Sequence, residues 1–130
     1  SNQGVVDFAG VAEKAYSMSF VVDNNTLKSA ITILDVSEAL DISSGLNKSP
    51  TAKNKVSADT NGDGQINIID VSNILDISSG LYKGSGTAVL RDSLISDPFT
   101  YKTIDIKPGS DMVLDAYILG DLNGSYADIL

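Results

Sequence analysis

The sequence predicts an α+β fold: two short helices at the centre, packed with a small antiparallel sheet drawn from the N- and C-terminal flanks. Three observations carry this expectation. The 130 residues are 42% hydrophobic and 20% charged, enough for an ordinary buried core and well away from the composition of disordered chains. A fourteen-residue stretch, residues 33–46, returns as residues 68–81 with eleven identities at an offset of 35. The flanks on either side of this repeat alternate in polarity at period two. The expected organisation is an N-terminal strand segment over 1–23, a duplicated loop–helix module over 24–83 and a β segment over 84–130, forming one unit.

Taken in chain order, Tyr16-Ser-Met-Ser-Phe20 is the first strand candidate. In the two copies of the repeat, Val36 and Leu40, then Val71, Ile74 and Leu75, recur at helical spacing. Gly45 and Gly80 follow where a left-handed C-terminal cap belongs, so each copy reads as one helix of about ten residues. Between them, residues 47–57 are polar, with Pro50, Lys48, Lys53 and Lys55, and read as a solvated loop or one poorly formed turn. A strand is expected at 87–91 after the flexible Gly84-Ser85-Gly86, and two more over 99–106 and 112–119, joined by a turn at 107–110. Tyr16, Phe20, Phe99 and Tyr101 occupy alternate strand positions, as core residues do.

Composition excludes several functions. Without His or Cys there is no Ser-His or Cys-His nucleophile and no ordinary zinc site. A net charge of −8 opposes binding to nucleic acid or to an anionic membrane surface, and no apolar run is long enough for a membrane helix. Asp105, Asp111 and Asp115 are better read as strand and turn residues than as paired glycosidase carboxylates, so no enzyme is expected. The favoured partner is a cation. Of 17 acidic residues only Glu13 and Glu38 are Glu, and short Asp side chains suit loops and calcium sites.

The chemistry is concentrated just before the second helix, in Asp59-Thr-Asn61-Gly-Asp63-Gly64-Gln65-Ile66-Asn67-Ile-Ile-Asp70. Oxygen-bearing side chains stand at loop positions 1, 3, 5, 9 and 12, the pattern of an EF-hand-type calcium loop. Calcium takes six to eight hard oxygens, which a tightly wound loop offers from alternate residues. Asp59, Asn61 and Asp63 offer side-chain oxygens, Gly64 permits the sharp turn, Gln65 offers its carbonyl, Asn67 is placed to hold a coordinating water, and Asp70 closes the shell.

A closing Asp in place of Glu, an exiting helix without an entering one, and duplication of the unit 35 residues apart together make residues 24–81 resemble a dockerin. The resemblance implies a non-catalytic, calcium-dependent module of a secreted or cell-surface protein that docks onto a cohesin-like partner. It implies Asp59, Asn61, Asp63, Gln65 and Asp70 as the metal residues, and Ile33-Leu34 and Ile68-Ile69, each just before a closing Asp, as the partner-facing residues. At the family's basic pair midway along each helix, this sequence has Leu40-Asp41 and Leu75-Asp76. In the first copy Asn24, Thr26, Lys28, Ser29, Thr32 and Asp35 stand at the loop positions, and the cationic Lys28 excludes calcium binding of the family kind. Ile31 is expected to mirror Ile66 in a short bridge between the loops. A monomer within a longer protein is expected.

Two other readings are carried alongside: a calcium-stiffened structural module of a large extracellular adhesin, and, without Trp to support it, a carbohydrate-binding module. Finally, Asp121-Leu-Asn123-Gly124-Ser125 copies the opening of the calcium loop but cannot finish it, whereas the first repeat keeps the closing Asp35 and lacks the opening. Folded back, the tail would complete a split second site with Asp35; the simpler expectation is a tight turn at Asn123-Gly124.

Overall fold

A computed structural model describes residues 3–7, 14–93, 104–106 and 111–125 of the chain. The repeat forms two equivalent helices, α2 (Ile33–Ser43) and α4 (Ile68–Ser78); the further helices and the strands are introduced below. Both are started by a capping box: Thr32 or Asn67 caps the first turn, and the carboxylate of Asp35 or Asp70 reaches back to the cap residue's own N–H. Both end where Gly45 (φ 84°) and Gly80 (φ 83°) turn the chain left-handed. Val36 and Ala39 on one helix and Val71, Ile74 and Ile77 on the other point inward, whereas Leu40 and Leu75 are exposed.

Two further helices correct the expectation of loops. The residues aligned with the opening of the Asp59–Asp70 loop, Asn24–Ala30, form α1, capped by Asp23. Leu27 and Ser29 stand where the second copy has Gly62 and Gly64, whose φ values are 71° and 84°. Without glycine the left-handed loop is strained, and a helix that fully buries Leu27 and Ala30 replaces it. The polar stretch read as a loop contains α3 (Ala52–Ala58), started by a capping box between Thr51 and Asn54. Its apolar side is small, Val56 and Ala58, so hydrophobic periodicity gave no sign of it. Lys53 and Lys55 lie half-buried on this helix; Lys48 is exposed.

The flanks supply an antiparallel sheet, as expected for an α+β fold. Its strand order is β1 (Gln3–Asp7), β6 (Asp111–Ile118), β4 (Gly86–Asp92), β3 (Ser19–Val22), and β2 (Lys14–Tyr16) pairs separately with β5 (Ile104–Ile106). Residues 16–20 are thus split between two strands. Phe20, expected in the core, is 59% exposed because β3 is a short edge strand and of its residues Val22 packs on the core. Phe99, Tyr101 and the 107–110 turn lie outside the described residues, as do the side chains of Asp105 and Asp111. Asp115 pairs in register with Gln3 on one side and Arg91 on the other, a sheet position.

The main core joins helices to sheet. Leu27, Ala30, Ile31, Val36, Ala39, Val71 and Ile74 pack with Ala88 and Ile118 of the sheet and with Leu122 beyond it. A smaller cluster of Leu90, Ile104 and Leu114 gathers Tyr16 and Met18. Ile31 and Ile66 share the main core, but no bridge between their backbones occurs among the described residues.

Candidate metal centre

The loop between α3 and α4 draws three carboxylates together. Asp59 caps the end of α3, Asp70 lies in the first turn of α4, and Asp63 sits between them. One carboxylate oxygen from each lies within 4.8 Å of the others. Asp59 and Asp70 are buried and Asp63 is exposed, so the cluster is lined from inside and opens outward.

Backbone donors hold the acids in place. The Asp63 N–H donates to Asp59 Oδ1 (3.2 Å) and to Asn61 Oδ1 (3.2 Å), and the Gly64 N–H donates to Asp59 Oδ2 (2.9 Å). The Gln65 N–H donates to Asp63 Oδ1 (2.9 Å). Asp70 accepts the Thr60 N–H (3.0 Å) and hydroxyl (3.1 Å) on one oxygen and the Asn67 N–H (3.0 Å) on the other. Burial raises the Asp59 carboxyl above the usual range; the Gly64 N–H opposes this, and the charges of Asp70 and Asp63 add to it. A hard divalent cation relieves both causes, because it compensates desolvation and repulsion together. The all-oxygen donor set fits such an ion.

Of the predicted ligands, Asp59, Asp63 and Asp70 converge as carboxylates, with Asn61 oriented by the same N–H as Asp59. Gln65 is exposed in the turn. The Asn67 side-chain oxygen accepts the Ile69 N–H (3.0 Å) as a helix cap. Thr60 was not singled out from the sequence, since loop position 2 carries no ligand in the motif; here it ties the closing Asp70 to the loop's opening.

The 121–125 segment repeats this geometry against the first helix. The Ser125 N–H donates to Asp121 Oδ1 (3.1 Å) and Asn123 Oδ1 (2.9 Å), as the Asp63 N–H does to Asp59 and Asn61. The Gly124 N–H bonds to the Asp121 carbonyl (3.2 Å) as Gly62 does to Asp59 (3.3 Å), and the two glycines share a positive φ of 68° and 71°. The expected tight turn is therefore present as part of the loop copy. Asp35 is fully buried; one oxygen accepts the Asn123 N–H (3.2 Å) and the other the Thr32 N–H (2.9 Å). Opening and closing halves thus meet although 88 residues apart. Burial raises the Asp35 carboxyl, backbone N–H donors oppose it, and the Asp121 charge raises it further. Glu38 is raised by burial and by Asp35, Asp121 and Asp41, and the Lys53 ammonium lies where a Cβ on Gly124 would stand.

The predicted partner-facing residues are all exposed: Ile33 64%, Leu34 62%, Ile68 65% and Ile69 56%. No helix among the described residues is long and apolar enough to cross a membrane. Comparison with models of known families, with curated proteins and with solved structures found no match.

Proposed function

We propose that this chain is a non-catalytic, calcium-dependent docking module of the dockerin kind, borne by a secreted or cell-surface protein and presenting Ile33-Leu34 and Ile68-Ile69 to a cohesin-like protein partner. The observation that carries the reading is the convergence of Asp59, Asp63 and Asp70 within 4.8 Å at the start of a helix whose first two residues are exposed isoleucines. Calcium is preferred over magnesium because several protein oxygens in a flexible loop suit the larger ion. In this reading Asp121, Asn123, Ser125 and Asp35 hold a second ion, supported by their repeat of the loop's hydrogen bonds.

A second reading, a calcium-stiffened structural module of an extracellular adhesin, is favoured by one observation: the inner faces of α2 and α4 pack on the chain's own sheet through Ala88 and Ile118. Calorimetric titration of calcium into chelator-stripped chain tests the metal. Two ions per chain support both sites, one ion removes the split site, and none removes the reading. Titration of a cohesin into the calcium-loaded chain separates docking from stiffening; binding that disappears in Ile68→Asp supports docking.

A further inference from the structure

The two exposed apolar pairs occupy equivalent positions, yet different parts of the chain hold them. Ile68-Ile69 is framed by its own loop: the Asn67 cap in front, and Asp70 behind, tied to Thr60. Ile33-Leu34 is framed by Thr32 and Asp35, and Asp35 is tied to Asn123. The 120–125 segment has further anchors. Beside the same entry the Ser125 hydroxyl donates to the Ala30 carbonyl (2.8 Å), and on α3 the Ser57 carbonyl accepts the Gly120 N–H (2.7 Å) while the Asn54 side chain donates to the Leu122 carbonyl (3.0 Å). A Cβ at Gly120 would collide with Ile31, which shows how closely this segment covers the start of α2.

We propose that the two halves of the docking surface are ordered separately: residues 59–65 set the order of Ile68-Ile69, and residues 120–125 act as a clasp that sets the order of Ile33-Leu34. Local opening is governed by local contacts, so an element held by a distant segment opens when that segment leaves, while its packed neighbour stays closed. The biological meaning of the clasp rests on the docking reading, but its test needs no partner.

Hydrogen exchange of the full chain in saturating calcium reads it, with the Val36 and Val71 amides as reporters, each bonded to its cap residue's carbonyl. Asp121→Asn should speed exchange at Val36 by about tenfold or more and leave Val71 within about twofold, and Asp59→Asn should do the reverse. Ser125→Ala, which removes one hydroxyl, should act in the same direction as Asp121→Asn and serves where the latter does not fold. Equal acceleration at both amides in a folded variant, or none at the matching one, overturns the proposal. The docking reading fails on a different result, unaltered cohesin titration in Ile68→Asp, so the two failures are distinct.

Discussion

The two loop–helix units are identical at eleven of fourteen positions over 33–46 and 68–81 but enter their helices by different routes. The second winds Asp59 to Asp70 around a point with two left-handed glycines; the first replaces the winding by α1 and borrows residues 121–125 to face Asp35. The comparison teaches that the closing Asp has a structural role of its own, independent of any metal. Asp35 and Asp70 are both fully buried and both cap their helices, whatever stands opposite them. What distinguishes the units is how the facing half is delivered.

The largest expected effect breaks the first unit. Leu27 is fully buried in α1, and Leu27→Ala should cost about 2–5 kcal/mol in denaturant unfolding, with or without calcium. Next comes the metal. Calcium at about 100 times Kd should stabilise the chain by roughly 2.7 kcal/mol if one ion binds only the folded state. Asp59→Ala or Asp70→Ala should remove most of that gain from melts compared with and without chelator; identical midpoints for the unaltered chain would sink the metal centre. Gly64→Ala meets no atom within 4 Å but forces a side chain into φ 84°, so about 1–2 kcal/mol should be lost, with weaker calcium affinity by calorimetry.

The smallest expected effect is a pH dependence of the metal-free chain. Burial holds Asp59 and Asp35 above the usual carboxylate range, so their ionisation opposes folding. Their favourable contribution is complete below the unfolded-state carboxylate value and is lost as pH rises through the raised folded values. Melting in chelator should therefore improve on mild acidification from neutral pH. Calcium should reverse the sign, because a bound ion would need both carboxylates deprotonated. Parallel melting curves across pH in calcium and in chelator would contradict this assignment.

Much of the fold was legible because the repeat and its glycine caps are local signals. The helices at 33–43 and 68–78, the strand at 86–92 and the converging Asp59, Asp63 and Asp70 all follow from spacing within a dozen residues. The meeting of Asn123 with Asp35 was legible only as the less simple of two readings, since each half-motif lacks what the other keeps. The two short helices were not. α1 forms because glycines are missing, and α3 because Thr51 and Asn54 cap a stretch with little apolar periodicity. The exposure of Phe20 was hidden too, because alternation marks two faces of a strand without saying which face, or neither, is covered at a sheet edge.

The bond from Asn123 to Asp35 also gives the two units a birth order. As the chain is made from its N-terminus, the second loop has every part it needs once Asp70 has emerged, whereas Asp35 waits for a donor 88 residues downstream. Contacts of such separation close late, because the intervening chain must be ordered before they repay its entropy. The unit that comes first in the sequence is therefore the last to be finished, and until then Asp35 caps α2 with the Thr32 N–H but without the Asn123 donor and the Asp121 charge.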